Sequence, residues 1–542
     1  MELIPSAHDD TFCRDNLPPQ ESWPEFRFDL PEVQYPDRLN CAAELLDAVI
    51  AEHGEDRPCL LAPDGTRWTY GDLRRNADKI ANTLVNQHGI VPGNRVLLRG
   101  PNNPWLVACW FGVLRAGAVA VTTMPLLRAR ELRELADIAK IGLALCDDRF
   151  LDELTEAEIP GLEVVGYGTG ADSELALAMA RESEEFDPVD TAADDVALLA
   201  FTSGTTGRPK ATMHFHRDVL ANADTFSKHV LKPTADDVFT GTPPLAFTFG
   251  LGGLVVFPLR VGASTLLIEK ASPAELAQHI TDHQVTICFT APTAYRSMLA
   301  DGSAEKLVTL RRAVSAGEHL PEATWHAFRE ATGVKLIDGI GATEMLHIFI
   351  SAADDDIRPG STGKAVPGFE AQIVGDDGQP LPDGEAGRLA VKGPTGCRYL
   401  ADARQAVYVQ DGWNITGDTF VRDTDGYFWY RARSDDMIIS AGYNIGGPEV
   451  EEALLAHPDV AECGVVGAPD EARGQIVKAY VVLGSDVTGD ADKVKELQEH
   501  VKARIAPYKY PRAIEFVTSL PRTNTGKLQR FRLREMAGSA TG

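Results

Sequence analysis

Cysteine is scarce in this chain: eight residues in 542, scattered at 13, 41, 59, 109, 146, 288, 397 and 463, with no pair in C-x-x-C spacing. That pattern excludes a disulfide framework and a zinc ribbon, and it reads as reduced thiols in a cytoplasmic protein. Basic residues are also in deficit, 52 Lys and Arg against 79 Asp and Glu, for a formal net charge of −27. Nucleic-acid binding needs cations that displace phosphate counterions, so no nucleic-acid partner is expected. Any anionic ligand must be held by a local basic or amide-rich site working against the global field. Long apolar runs are missing too. Residues 105–127 and 251–268 are interrupted by Arg115 and Arg260 and by Gly and Pro. They read as buried helix–strand units, and no membrane partner is expected. Residues 1–10 lack a basic n-region with an apolar core, so no secretory signal is read there.

What is present is an ordinary globular composition, 44% hydrophobic and 24% charged, with 48 Gly and 33 Pro. At roughly 150 residues per domain the length suggests three or four folding units. The first 40 residues are acidic and Pro-rich and are expected to form an arm on the surface. Over 42–400, apolar strands at 95–98, 118–122, 142–146, 197–202, 263–268 and 285–290 alternate with helices at 42–53, 72–88 and 273–283. This alternation points to layered α/β structure with largely parallel sheets. After Gly387 the texture changes. Strands are expected at 387–393, on both sides of an Asp-Gly turn within 420–430, and at 464–467, 476–483 and 513–517. Helices are expected at 448–456 and 490–505, the latter with Val494, Leu497, Val501 and Ile505 spaced three, four and four apart. The fold class is therefore α/β: a large N-terminal domain with parallel sheets (1–433), a joint in the charged run at 434–435, and a small mobile α+β C-terminal domain (436–542).

The densest chemical signal is Thr202-Ser-Gly-Thr-Thr-Gly-Arg-Pro-Lys210, directly after an apolar strand. Its glycines let the backbone approach a ligand, and its hydroxyls and lysine supply donors, so the loop suits phosphates. It is no Walker A loop, because Pro209 separates Gly207 from Lys210. Asp338-Gly-Ile-Gly-Ala-Thr-Glu344 sets a Thr and a Glu behind glycines, fit to hold Mg²⁺ beside a phosphate. Thr416-Gly-Asp418 places a carboxylate in a turn, where it could accept from ribose hydroxyls. Pro521-Arg-Thr-Asn-Thr-Gly-Lys527 is a basic loop near the end of an acidic chain. Other patterns carry less. His279 and His283 have an i,i+4 spacing but lack the Glu of H-E-x-x-H, and read as a surface helix face. Asp423-Thr-Asp-Gly lacks the following Glu of a calcium loop and reads as a hairpin turn.

In this order and spacing the motifs resemble the adenylate-forming acyl-CoA synthetase superfamily over essentially the whole chain after residue 40. The resemblance also rests on Tyr430 through Arg433 to Asp436 and on Ser440-Ala-Gly-Tyr-Asn. Gly341-Ala-Thr-Glu-Met-Leu-His-Ile-Phe and Leu245-Ala-Phe-Thr-Phe-Gly-Leu-Gly-Gly look like the benzoate-CoA and 2-aminobenzoate-CoA ligases. Two positions depart from the pattern: Ala432 stands where a Gly is usual, and Tyr443 where Glu is frequent.

The resemblance implies an AMP-forming acid–thiol ligase using ATP, Mg²⁺ and CoA on a small aromatic carboxylic acid, 2-aminobenzoate or benzoate, working as a monomer or homodimer. It implies that Thr202, Ser203, Gly204, Thr205, Thr206, Gly207 and Lys210 hold the β- and γ-phosphates. Thr343 would contact the α-phosphate and Glu344 would hold the metal. Ala316, Gly317, Glu318, Asp338 and Gly339 would line the adenine, and Asp418 and Arg433 would take the ribose. Lys527 would reach the bond-forming oxygens. A rotation about Asp435 would replace it with Ser440, Ala441, Gly442 and Tyr443 for the thiol step. Phe247, Phe249, Gly339, Gly341 and His347 would line the acid pocket. Two alternatives remain open at this point: a stand-alone enzyme loading an aryl acid onto a carrier protein, and a nucleotide-binding regulator without catalysis.

Overall fold

A computed structural model describes residues 2–168, 170–203, 209–433, 436–440, 443–470, 473–485, 487–505, 507–522 and 528–539; the side chains at 203, 433, 443, 444 and 539 fall outside the description. Of the residues expected to form the site, Gly204, Thr205, Thr206, Gly207, Asp435, Ala441, Gly442 and Lys527 lie outside the described ones.

Two parallel-cored sheets dominate. The first has six strands in the order Glu163–Tyr167, Leu143–Asp147, Arg95–Arg99, Val119–Thr123, Val196–Ser203 and Pro209–Phe215. Its first five strands run parallel and the last is antiparallel. The second has nine strands. Its parallel centre runs Leu336–Gly341, Arg312–Ala316, Ile287–Thr290, Val238–Gly241, Ser264–Leu266 and Pro58–Leu61. Parallel pairing needs crossovers, and the amphipathic helices Cys41–His53, Tyr70–His88 and Pro273–Asp282 are among the helices that cover the sheets. Both interrupted apolar segments behave as expected. Pro104–Arg115 is a helix feeding the strand Val119–Thr123, and its Arg115 is neutralised by Asp47 and Asp78. No helix among the described residues is long and apolar enough to cross a membrane.

A third, antiparallel sheet carries Glu370–Val374, Ala386–Lys392, Trp413–Arg422 and Phe428–Arg433, with the hairpin turn capped by Asp423, which accepts from the Asp425 and Tyr427 amides. The last unit is smaller. Gly474–Leu483 pairs with Val460–Asp470 and with Ala513–Phe516, flanked by helices Gly447–Leu455 and Ala491–Arg504. It has a core of its own, built from Ile438, Val450, Leu454, Val477, Leu497 and Val501, as a separately folding unit requires.

The N-terminal arm is held more firmly than a surface segment. Cys13, Trp23, Val33 and Leu39 are buried. Asp10 pairs with Arg95, Arg14 with Asp194 and Asp195, and Glu25 with Lys392. The acidic residues that suggested solvation are therefore in part the arm's attachments.

Candidate active site

Parallel strands leave their carboxyl ends open to ligands, and the expected residues gather at such ends. Ala316 and Gly339 are register partners at the ends of adjacent parallel strands, so Ala316, Gly317 and Glu318 stand beside Asp338 and Gly339. Gly317 has φ +90°, a conformation that side chains rarely adopt. Asp338 lines a small pocket together with Leu320, Trp325, Arg358 and Thr362. Burial pushes its carboxyl well above the ordinary carboxylate range, and its Oδ1 has no hydrogen-bond partner among the described residues.

The strand Val196–Ser203 returns through Pro209–Phe215 with Thr202 opposite Lys210, and the Thr202 hydroxyl is buried without a partner among the described residues. Side chains alternate along a strand, so Lys210, Thr212 and His214 share one face. That face meets the short turn Thr343–Met345. Lys210 Nζ lies 2.9 Å from Glu344 Oε1 and on the Tyr399 hydroxyl, and it sits 4.4 Å from the centre of the Tyr399 ring. The Tyr399 hydroxyl donates to Glu344 Oε1 at 2.5 Å. His214 Nε2 donates to the Thr343 carbonyl at 2.8 Å, and burial drops its pKa to about 3, so the ring is neutral. Behind it, Arg398 and Asp218 form a fully buried ion pair, with the guanidinium 3.9 Å over Phe215.

The chain reverses after Glu344 through Leu346, a non-glycine residue at φ +71°. Such strain costs on the order of 1–3 kcal/mol and persists where surrounding structure imposes it. It delivers His347 into a cluster of rings, 4.6 Å from Phe257, 5.5 Å from Phe249, 5.7 Å from Phe226 and 6.3 Å from Phe289. Gly341 backs directly on the His347 carbonyl, where a Cβ would stand 2.5 Å from the oxygen. Phe247 caps the helix Thr248–Leu251 and lies outside this cluster. Burial brings His347 to a pKa of about 3.

Asp418 and Arg433 are cross-strand partners in register on the two arms of one hairpin. Ser440 is buried, receives a hydrogen bond from Arg473 Nε at 3.2 Å and is the register partner of Tyr443 on an antiparallel strand. Arg522, at the start of the basic terminal loop, reaches Glu318 at 3.8 Å. The loop thus begins against the segment expected to line adenine.

Tyr399, His214, Arg398 and Asp218 went unnoticed in the sequence. His214 had a signal: it stands four residues after Lys210 on a strand and therefore on the same face. Tyr399 had none, being distant in sequence from both groups it touches.

A family model described as AMP-binding enzyme matches residues 46–399, and one described as AMP-binding enzyme C-terminal domain matches 449–527. The chain belongs to the AMP-binding enzyme family. Its relatives include the benzoate–CoA ligase of Thauera aromatica, 35% identical over 93% of this chain and 97% of that one. Among solved structures, the anthranilate CoA ligase AuaEII in complex with anthranoyl-AMP superposes with a TM-score of 0.89 at 34% identity, covering 94% of this chain and 100% of that one. A benzoate CoA ligase from Burkholderia xenovorans gives 0.84 at 31% identity, covering 92% and 100%. The expected adenylate-forming acyl-CoA synthetase is thus borne out in fold and in family, and this AMP-binding enzyme is an AMP-forming acid–thiol ligase.

Proposed function

We propose that the protein is an ATP-dependent aryl-CoA ligase that converts a small aromatic acid, 2-aminobenzoate or benzoate, to its CoA thioester through an aryl-adenylate. The observation that carries this reading is the ring cluster around His347, three residues beyond Glu344 in the chain. An acid site bordered by such rings would suit an arene and obstruct an alkyl chain. The similarity to benzoate and anthranilate ligases supports it.

A carboxylate resists a thiol because its oxygen leaves poorly. In the first step a carboxylate oxygen attacks the α-phosphorus of ATP and pyrophosphate departs; in the second the CoA thiol attacks the carbonyl and AMP departs. The protein's task is to position the reactants and to neutralise charge. Lys210 leaves Glu344 for the β- and γ-phosphates, with 202–207 supplying backbone and hydroxyl donors. Thr343, held through its carbonyl by His214, meets the α-phosphate. Residues 316–318, 338 and 339 flank the adenine, and Asp418 and Arg433 hold the ribose. Glu344 fits Mg²⁺, which takes one or two carboxylates plus substrate phosphates and supplies charge neutralisation there. Lys527 stabilises the bond-forming oxygens. The C-terminal unit then turns about 434–435 and brings Ser440–Tyr443 in its place. On either side of that joint, Asp436 pairs with Arg534 inside the C-terminal unit and residue 433 ends a strand of the third sheet.

The test is CoA consumption with benzoate, aminobenzoates, hydroxybenzoates and octanoate. Thioester formation with CoA alone, without a carrier protein, removes the carrier-loading alternative. Acid-dependent pyrophosphate release removes the non-catalytic one. Octanoate outrunning every aromatic acid would sink the aryl reading.

A further inference from the structure

The turn Thr343–Met345 is three residues long and leaves through Leu346 in the left-handed region. It is closed by the Met345 amide on the Ala342 carbonyl and the Leu346 amide on the Thr343 carbonyl. So short a segment gains too few internal bonds to fix its own shape. It is held from outside instead. His214 Nε2 donates to the Thr343 carbonyl and the Thr395 hydroxyl donates to the Met345 carbonyl, each at 2.8 Å. Between them the Glu344 carboxylate accepts from the Tyr399 hydroxyl. Three consecutive residues are thus each tied to a side chain at least 50 positions away in the chain.

The three ties share one frame. Residues 398–400 run along the strand Pro209–Phe215, which also carries Lys210. The Met213 amide donates to the Arg398 carbonyl at 2.7 Å, the Leu400 amide donates to the Ala211 carbonyl at 2.9 Å, and Thr212 bridges to Tyr399. The Arg398–Asp218 ion pair fastens the same segment to the helix His216–Asn222 that follows the strand. His214, Thr395 and Tyr399 are all fully buried. The His214 ring is neutral, so it fixes a carbonyl and adds no charge beside Lys210.

We infer that His214 and Thr395 are positioning residues for adenylate formation: they fix the turn, and through it the aim of Thr343 at the α-phosphate and of the Glu344 carboxylate beside it. This rests on the roles of Thr343 and Glu344 under the proposed function. Neither residue touches substrate, since the donors of both are spent on backbone carbonyls. Under the same reading Lys210 leaves Glu344 for phosphate, so the two carbonyl ties are the ones that persist when ATP is bound. A misplacement of about 1 Å at a reacting group can cost about 10² in rate, which is what such ties prevent.

The experiment follows acid-dependent ATP–pyrophosphate exchange with the aromatic acid that the unaltered protein uses fastest. Thr395→Val keeps the shape of the side chain and removes the donor. It should lower kcat by about tenfold or more and leave KM for the acid within about twofold, the split expected when aim is lost and binding is kept. Thr395→Ser restores the hydroxyl and should return kcat to within about twofold of the parent. His214→Phe keeps a flat ring without the N–H and should reproduce the loss. An unchanged kcat in Thr395→Val, a rise in KM alone, or a loss that Thr395→Ser leaves unrepaired would overturn the inference and mean that the hydroxyl only supports the fold. An unaltered protein without acid-dependent exchange would instead remove the proposed function, and this inference with it. Should Thr395→Val not fold, Thr395→Ala serves against the same serine rescue.

Discussion

Lys210 and Glu344, 134 positions apart in the chain, meet at 2.9 Å between Nζ and Oε1. Each is the other's counter-charge before any ligand arrives. Under the proposed function, a phosphate chain with its metal would offer Lys210 a stronger anion and Glu344 a stronger cation, and the pair would separate on binding. The Tyr399 hydroxyl donates to the same Glu344 oxygen, so one hydrogen bond to the carboxylate would remain if the lysine turned to a phosphate.

Glu344→Gln should lower acid-dependent pyrophosphate release by about 10²–10³, the range for losing one electrostatic stabiliser in a dry site. Tyr399→Phe should cost less, about tenfold, because it removes one hydrogen bond worth about 1 kcal/mol or slightly more. ATP–pyrophosphate exchange measures both. A larger effect at Tyr399 than at Glu344 would contradict this ordering.

Lys527→Ala should abolish adenylate formation and spare thioester formation from preformed aryl-AMP. The motive is the attachment of Arg522 to Glu318 at 3.8 Å, which starts the terminal loop beside the nucleotide segment. The two half-reactions are assayed separately, and equal losses would refute this division of labour.

Asp435→Pro should do the reverse, keeping adenylation and slowing thioester formation. Proline holds φ near −65° and restricts the residue before it, so a joint that must change its dihedrals there would be held in one arrangement. Parent rates in both half-reactions would place the pivot elsewhere.

Arg398→Met should destabilise the protein by about 3–5 kcal/mol, because it strands Asp218 as a buried unpaired carboxylate. The double variant Arg398→Met with Asp218→Leu should recover part of that loss. Thermal unfolding of the three proteins checks it; a double variant that adds the two single losses would show that the pair is not coupled.

His216 is buried, with a pKa lowered to about 3 chiefly by burial. Above about pH 6.5, the ordinary histidine value, folded and unfolded chains both hold it neutral. Below that, the unfolded chain takes up a proton that the folded one refuses, so this contribution to stability falls as pH drops toward 3, by up to about 1.4 kcal/mol per unit. His216→Asn should therefore show a shallower loss of melting temperature between pH 6.5 and 5 than the parent. Parallel curves would show that His216 titrates normally in the folded state.

Where ligand chemistry demands contiguous residues, it was legible. A phosphate cradle needs glycines, hydroxyls and a lysine within a short stretch, and the sequence of 202–210 has them; the strands that flank it pair with each other. The helix Ala491–Arg504 was readable from the spacing of Leu497 and Val501, and the hairpin of Asp418 and Arg433 from its Asp-Gly turn. The ring cluster around His347 was only half legible. Phe249 and His347 come together, but Phe226, Phe257 and Phe289 join them from elements whose apolar residues looked like ordinary core.

By itself, then, the sequence determined the family, the parallel α/β layering and the order of the nucleotide segments, because local spacing and composition suffice to specify strands, turns and phosphate loops. Only the tertiary structure decided which side chains answer one another. Tyr399 lies 189 positions from Lys210 and 55 from Glu344, and His214 lies 129 from Thr343. Thr395 lies 50 from Met345. No periodicity connects such residues. Strand register and the strained reversal at Leu346 bring them together, and those are outcomes of packing the whole core at once.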